Sequence, residues 1–96
     1  MRHRFAVTYD ISDDARLRKV FKVMKGYGRH VQYSVFICDL NEMGLAELKA
    51  MLDEVVHHVD DQVLFFAMGP TDGHGAAAIE SLGRPYYERV REPVVV

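Results

Sequence analysis

The chain has 96 residues and a formal net charge of −2 at pH 7, and 49% of its residues are hydrophobic and 27% charged. These values are typical of one small folded domain and argue against both a disordered chain and a strongly basic nucleic-acid coat protein. No stretch approaches the roughly 18 apolar residues of a membrane span, and the N-terminus lacks the apolar region of a signal peptide, so we expect a cytoplasmic protein.

A strand is predicted for residues 4–9, where side chains alternate between two faces. One face carries Phe5, Val7 and Tyr9, and the other carries Ala6 and Thr8. Because the second face is also apolar or small, the strand is predicted to lie in the middle of a sheet. It runs directly into Asp10, which places a carboxylate at the end of a rigid element. Such a carboxylate suits a catalytic group or a metal ligand, and a turn or helix cap is the common alternative.

A first helix is predicted to begin just after this strand. Ser12, Asp13 and Asp14 supply candidates for its N-cap and negative charge for its first turn. Its apolar positions recur at helical spacing, at Leu17, Val20, Phe21, Met24 and Tyr27. Gly26 or Gly28 is predicted to end it.

Residues 29–40 return to a period of two, which indicates extended structure. Periodicity alone does not distinguish one long strand from two short strands bent about residues 34–36. The only cysteine of the chain, Cys38, lies in this region; it cannot form an internal disulfide, and no Cys/His spacing in the sequence suits zinc. We expect Cys38 to be a small, buried apolar residue.

A second helix is predicted to be capped by Asn41 and to end near residues 57–60. Its apolar stripe consists of Leu45, Leu48, Leu52, Val55 and Val59. Residues 62–68 are apolar on both faces, which indicates another buried strand.

The C-terminal part of the chain gives weaker signals. Residues 69–85 are rich in glycine and are predicted to form a loop that includes a short helical or irregular piece at residues 76–82. Residues 86–96 are predicted to form a last extended segment. The succession of strand, helix, strand or hairpin, helix and strand suits one ferredoxin-like α+β domain. The core of so small a domain is thin, so dimerisation would add to it.

The charges are distributed unevenly along the chain. Residues 16–29 contain six cationic side chains and no acidic one: Arg16, Arg18, Lys19, Lys22, Lys25 and Arg29. Residues 39–61 contain seven acidic side chains and one lysine: Asp39, Glu42, Glu47, Asp53, Glu54, Asp60, Asp61 and Lys49. One predicted helix is therefore basic and the other acidic. Such runs are usually solvated surfaces, and a basic one also offers phosphate a binding surface.

Three motifs carry a resemblance to a known family. They are Y-D-I-S-D-D at residues 9–14, R-L-R-K-V at residues 16–20 and, as the most specific, G-R-H-V-Q-Y-S-V-F at residues 28–36. Over residues 5–68 the chain resembles the CRISPR-associated protein 2 family, the small subunit of the spacer-acquisition machinery. The resemblance implies a ferredoxin-like βαββαβ fold with an antiparallel sheet and a two-fold homodimer. It also implies an additional C-terminal strand, residues 86–96 here, that is exchanged with the dimer partner.

The resemblance also implies a metal site. Asp10 matches the aspartate that, in family members with nuclease activity, binds a divalent ion such as Mg²⁺ at the dimer interface. One carboxylate is a poor magnesium site, whereas two copies related by a two-fold axis would supply two oxygen ligands. Such an ion would lower the pKa of a bound water and favour phosphodiester hydrolysis. Asp10 is therefore predicted to be both the catalytic and the metal-binding residue.

A nucleic-acid surface follows from the same resemblance. Arg16 and Arg18 correspond to the family's arginines at the start of the first helix and are suited to phosphate contacts. Lys19, Arg29 and His30 complete the predicted nucleic-acid-binding set. His30 stands where the family often has arginine, so the charge at this position depends on pH or shifts onto Arg29.

Three further residues match the motifs. Tyr9 begins Y-D-I-S-D-D, and Ser34 and Phe36 lie in the most specific motif. We expect Ser34 near the metal or the backbone and Phe36 in the core.

These observations lead to two functions of different classes. The first is an adaptor that binds the backbone of duplex DNA and bridges the subunits of the CRISPR integrase, CRISPR-associated protein 1. The second is a magnesium-dependent endonuclease that acts on RNA or DNA. A toxin-like ribonuclease of the same dimeric fold, outside a CRISPR system, is a third alternative.

Overall fold

The structure is a computed structural model that describes residues 1–71 and 78–85. Its helices are α1 (Asp14–Lys25) and α2 (Glu42–Val55). Its strands are β1 (His3–Asp10), β2 (Arg29–Gln32), β3 (Val35–Leu40), β4 (Gln62–Pro70) and β5 (Ala78–Gly83). No helix within these residues is long and apolar enough to cross a membrane. The predicted C-terminal segment, residues 86–96, and its exchange with a partner lie outside the described residues.

The strands form one antiparallel sheet in the order β2-β3-β1-β4-β5. With α1 following β1 and α2 following β3, this is the predicted ferredoxin-like α+β fold, extended at one edge by β5. β1 pairs with both β3 and β4, which confirms its predicted central position. A strand with apolar side chains on both faces is suited to such a position.

Both helices cover the same face of the sheet. From the sheet, the core contains Phe5, Val7, Tyr9, Phe36, Cys38, Leu40, Val63 and Phe65. From the helices, it contains Val20, Met24, Leu48 and Leu52. The prediction that Cys38 is buried is confirmed, and burial raises the pKa of its thiol to about 11. The thiol is therefore protonated and unreactive at neutral pH.

The opposite face of the sheet carries apolar side chains that neither helix covers. The strand register places Ala6 between Ile37 of β3 and Phe66 of β4, and it places Thr8 beside Leu64. Within the described residues these side chains are partly exposed, whereas their neighbours on the helix side are buried. We refer to the surface formed by Ala6, Thr8, Ile37, Leu64 and Phe66 as the open face.

Both helices begin at a side-chain cap. Asp13 Oδ2 accepts the backbone N–H of Arg16 at 2.9 Å, and Asn41 Oδ1 accepts the backbone N–H of Gly44 at 2.7 Å. Each bond satisfies one of the N–H groups that the first helical turn leaves without a partner. The prediction for Asn41 is thus confirmed. Of the candidates before α1, Asp13 is the cap, and the hydroxyl of Ser12 donates instead to Asp61.

The extended region after α1 consists of two short strands, β2 and β3, joined by a turn at Tyr33 and Ser34. Tyr33 has a φ of 38°, in the left-handed region that residues other than glycine rarely adopt. Gly28 lets the chain approach β3 closely, because a Cβ at this position would lie 2.7 Å from the carbonyl oxygen of Ile37. The structure therefore selects the two-strand alternative that the periodicity left open.

Two predictions for the part of the chain that follows β3 are wrong. α2 ends at Val55 rather than near residues 57–60, and Val59, predicted on its apolar stripe, is 70% exposed. The chain instead enters a turn in which the side chain of Asp61 accepts the N–H of His57. Residues 78–83, predicted to be helical or irregular within a loop, form β5. The edge of β4 supplies unpaired backbone groups, and this pairing overrides the weak local signal.

Candidate functional site

Asp10 is the last residue of β1, and its side chain is 76% exposed. Side chains alternate along a strand, so Asp10 lies on the same side of the sheet as Ala6 and Thr8. Its partner across the sheet is Gln62, the first residue of β4. The carboxylate predicted from the sequence is therefore accessible and lies at the margin of the open face.

An arginine that the sequence analysis did not single out holds this carboxylate. Arg84 Nη2 donates to Asp10 Oδ2 at 3.1 Å, and Arg84 Nη1 donates to the carbonyl oxygen of Asp60 at 2.8 Å. The backbone N–H of Arg84 donates to the carbonyl oxygen of Asp61 at 2.5 Å. Gly83 has a φ of 88°, and a Cβ there would collide with that same carbonyl oxygen. The glycine at the end of β5 thus allows the close approach that directs Arg84 towards Asp10.

The donor set around Asp10 in one chain does not fit a magnesium ion. Magnesium requires near-octahedral oxygen coordination. In the part of the chain that the structure describes, no group of three or more His, Cys, Asp or Glu side chains could hold a metal. In addition, one oxygen of Asp10 is engaged by Arg84. A metal ion at this position would need oxygen ligands from a second copy of the chain.

Asp61 is the centre of a buried polar network beside this site. Its side chain has no solvent exposure and accepts hydrogen bonds from three segments of the chain. Oδ1 accepts the backbone N–H and the hydroxyl of Ser12 at 3.0 and 3.1 Å, and Oδ2 accepts the backbone N–H of His57 at 2.8 Å. Arg16 donates from Nε to Oδ2 at 2.7 Å and from Nη2 to Oδ1 at 3.2 Å. The carboxylate thus joins the start of α1 to the turn before β4.

The surroundings of Asp61 keep it ionised. Burial raises the pKa of its carboxyl, but the hydrogen bonds from Arg16, from the backbone of His57 and from Ser12 more than offset that effect. The net result is a pKa well below the ordinary value. The contact between Arg16 and Asp61 also raises the pKa of Arg16, chiefly through the hydrogen bond to Asp61. The network therefore contains an ion pair between a fully buried carboxylate and a partly exposed guanidinium.

This network changes the interpretation of Arg16. Its guanidinium, predicted to contact phosphate, is directed at Asp61 and is 26% exposed. A guanidinium that already makes a two-point contact with a buried carboxylate has few donors left for another anion. The phosphate-binding role of Arg16 stays a prediction, and the structure gives the residue a stabilising role.

The exposed cations lie further along α1. Arg18, Lys19, Lys22 and Lys25 are all exposed, and their spacing groups them on one side of the helix. We refer to these four residues as the basic face. Arg29, at the start of β2, is exposed as well. The predicted residues Arg18, Lys19 and Arg29 are therefore all accessible to a ligand.

His30 is exposed but is held by its own chain. Its Nε2 lies 2.6 Å from the carbonyl oxygen of Tyr33. Because a carbonyl can only accept, Nε2 carries a proton in this contact. The ring also packs against Phe21 and Phe36, with centroid distances of 5.1 and 4.9 Å. His30 thus fixes the β2–β3 turn, and its predicted contact with nucleic acid stays a prediction.

The remaining motif residues lie around the end of β1. Phe36 is fully buried and packs against the Tyr9 ring at 6.3 Å, so its expected core position is confirmed. The carbonyl oxygen of Ser34 accepts the backbone N–H of Tyr9 at 3.1 Å. Burial raises the pKa of the Tyr9 phenol, and Ser34 offsets part of that rise.

Two residues of this region were missed by reasoning from the sequence. In the sequence Asp61 is one charge of an acidic run, and its position directly before a buried strand is the signal that could identify it. No spacing in the sequence connects it with Arg16. Arg84 lies in a segment predicted to be a loop, and only the pairing of β5 with β4 brings it to Asp10.

The fold and this surface define a class of protein: a small ferredoxin-like domain with an accessible carboxylate at the end of its first strand and a basic first helix. The chain belongs to the CRISPR associated protein Cas2 family, whose family model matches residues 1–72. This membership supports a CRISPR-associated role.

Known relatives cover almost the whole chain. The CRISPR-associated endoribonuclease Cas2 of Geobacter sulfurreducens is 34% identical over 96 residues, which is 100% of both proteins. The CRISPR-associated endoribonuclease Cas2 1 of Rhodospirillum rubrum is 37% identical over 94 residues, covering 98% of this chain and 91% of the relative.

Solved structures agree with the fold. A crystal structure of Streptococcus pyogenes Cas2 at pH 6.5 matches with a TM-score of 0.60 and 31% identity, over 65% of this chain and 81% of that one. The crystal structure of a hypothetical protein from Thermus thermophilus matches with a TM-score of 0.68 and 32% identity, over 81% of this chain and 96% of that one.

Proposed function

We propose that the protein is a homodimeric adaptor of CRISPR adaptation that binds the backbone of duplex DNA and bridges subunits of the CRISPR integrase, CRISPR-associated protein 1. The observation that carries this proposal is the basic face of α1. It presents four exposed cations along about two turns of helix. Such a surface suits phosphates, which provide affinity and register without reading the sequence of bases.

The open face supports the homodimer. It is an apolar surface on the side of the sheet away from the helices, and two such faces could cover each other in a two-fold arrangement. A chain of 96 residues also gains stability by burying more apolar surface. Asp10 lies at the margin of this face, so two copies would bring both carboxylates to the same interface region.

Replacing Arg18 and Lys22 together by alanine is expected to weaken the binding of blunt duplex DNA. Each lost phosphate contact removes about 0.9 from the slope of log K against log salt concentration, so the slope should fall in magnitude by about 2. The measurement is fluorescence anisotropy of a labelled duplex, titrated at several salt concentrations. Arg16 is left intact, because its loss would disturb Asp61.

A matched control is Arg2→Ala, which removes an exposed cation that precedes β1 and lies outside the basic face. The control is expected to leave the salt slope close to that of the unchanged protein. An unchanged slope in the double variant, or an equal loss in the control, would show that the basic face does not bind the duplex.

A second candidate function is a magnesium-dependent endonuclease that cleaves RNA or DNA. The exposure of Asp10 at the dimer margin and the names of the two bacterial relatives favour it. In this proposal, one Mg²⁺ would be held by the Asp10 carboxylates of both copies and would supply Lewis-acid chemistry at the phosphodiester. Asp10 would have to leave Arg84 to act as a ligand. We do not propose the toxin-like ribonuclease outside a CRISPR system, because family membership supports a CRISPR-associated role.

Asp10→Asn is expected to abolish both metal binding and metal-dependent cleavage, because it removes the charged ligand that each chain would supply to the shared site. Calorimetric titration with Mg²⁺ or Mn²⁺ should give one ion per two chains for the unchanged protein and none for the variant. Cleavage of labelled RNA and DNA is followed with metal and with EDTA.

The control is Asp14→Asn, an exposed carboxylate in the first turn of α1. Retained metal binding in Asp10→Asn would contradict the shared site. The adaptor proposal makes a separate prediction for the same variant: integrase binding and spacer integration should continue without the Asp10 carboxylate.

A further inference from the structure

A concavity of about 360 Å³ lies between α1, the end of β1 and the β2–β3 turn. It is lined by Tyr9, Leu17, Arg18, Phe21, Tyr33 and Ser34. Its lining is mostly aromatic and apolar, and among the described residues Arg18 is the one charged residue that lines it. Arg18 also belongs to the basic face, so the concavity opens beside the surface proposed to bind the DNA backbone.

Tyr33 is the unusual member of this lining. Its side chain is 86% exposed, although an aromatic ring normally packs against other side chains. Its φ of 38° is unfavourable for a bulky residue. Backbone strain of this kind persists only where the surroundings enforce it, and it is concentrated at ligand-binding sites.

The surroundings of Tyr33 do enforce this conformation. The carbonyl oxygen of Tyr33 accepts from His30 Nε2 at 2.6 Å, and the next carbonyl, that of Ser34, accepts the N–H of Tyr9 at 3.1 Å. The His30 ring is in turn packed against Phe21 and Phe36. The turn therefore fixes the backbone that carries an exposed aromatic ring, at a concavity that Arg18 also lines.

An aromatic ring and an arginine at the same opening suit one kind of ligand. Aromatic side chains stack on nucleobases, and this contact tolerates any base because each has a flat π-face. An arginine beside the ring can take the attached phosphate. A base inside a duplex does not offer its faces to a side chain, because its neighbours in the stack cover them.

We propose that this concavity receives one unpaired nucleobase, stacked on Tyr33, while Arg18 contacts the phosphate of the same strand. The base would come from a single-stranded end of a duplex that lies along the basic face. This inference rests on the proposed binding of nucleic acid and adds to it a preference for unpaired ends.

The test compares three probes with the full chain: a blunt DNA duplex, the same duplex with a short unpaired overhang, and that overhang made of abasic nucleotides. The abasic probe keeps every phosphate and lacks only the bases. The base-bearing overhang is expected to bind about tenfold more tightly than the abasic one, the size of effect typical of one stacked base. An RNA overhang on the same duplex shows whether the site prefers ribose or deoxyribose.

Tyr33→Asn is expected to remove this tenfold preference and to leave blunt-duplex binding unchanged. Asparagine tolerates a positive φ, so the turn is kept while the ring is lost. Tyr33→Phe should retain the preference, because the ring remains. Val31→Ala, an exposed position on β2 outside the concavity, serves as the control.

The outcomes separate this inference from the proposed function. Equal binding of the base-bearing and abasic overhangs, or a preference that survives Tyr33→Asn, overturns the nucleobase site while blunt-duplex binding still supports the adaptor. If no probe is bound at all, the proposed function fails, and the nucleobase site fails with it.

Discussion

Asp61→Asn is expected to lower the free energy of unfolding by about 3 kcal/mol, because it removes the buried, charged acceptor of the hydrogen bonds from Ser12, Arg16 and His57. The amide has nearly the shape of the carboxylate, but it has only one oxygen. It therefore cannot accept all the hydrogen bonds that Ser12, Arg16 and His57 donate to the two oxygens of Asp61. Urea unfolding followed by circular dichroism measures the change, at one fixed protein concentration because a dimer gains stability with concentration.

The control is Asp60→Asn, the neighbouring residue, whose side chain is 58% exposed. It should change the free energy of unfolding by less than about 0.5 kcal/mol, as most surface substitutions do. If both variants were equally mild, the network around Asp61 would contribute little to stability.

The same carboxylate predicts a dependence of stability on pH. Its pKa is lowered by folding, so the unfolded chain takes up a proton more readily than the folded one. The contribution of Asp61 is therefore complete above the ordinary aspartate pKa of about 3.9. It declines as the pH falls below that value, and Asp61→Asn should lose most of this acid sensitivity.

Phe66→Asp is expected to convert the proposed dimer into a monomer. Phe66 is the largest side chain of the open face, and a charge at its position would be buried without a partner if two open faces pack together. We expect the dissociation constant of the dimer to rise on the order of a hundredfold, which corresponds to about 2.7 kcal/mol. Light scattering coupled to size-exclusion chromatography, over a range of concentrations, measures it.

Val59→Asp is the matched control, because it introduces the same charge at a residue that is 70% exposed and lies in the turn before β4, outside the open face. This variant should keep the oligomeric state of the unchanged protein. A dimer that persists in Phe66→Asp would place the interface on another surface and would remove the structural support for a site shared by two Asp10 carboxylates.

Much of the fold could be predicted from the sequence because its elements carry strong periodic patterns. The alternation through β1 indicated a central strand, and the cap at Asn41 marked the start of α2. β5 escaped prediction because residues 78–83 have no clear period of their own and become a strand only by pairing with β4. The early end of α2 depends on Asp61, whose contacts join residues far apart in the chain.

The candidate site was predictable to a similar extent. The sequence identified Asp10 and the exposed cations, because both are local features of one element. It assigned Arg16 to phosphate, since nothing in the spacing of the chain relates Arg16 to Asp61, 45 residues away. The contact between Arg84 and Asp10 spans 74 residues and likewise arises from tertiary structure alone.

The two helices give the molecule an electric dipole that is not apparent from its small net charge. α1 is mainly cationic and α2 mainly anionic, and they lie side by side on one face of the sheet. In the field of a polyanion such a dipole experiences a torque that turns α1 towards the polyanion, and α2 away from it, before contact. This orientation would appear in the association rate constant rather than in the lifetime of the complex. It would fade as salt shortens the Debye length below about 10 Å.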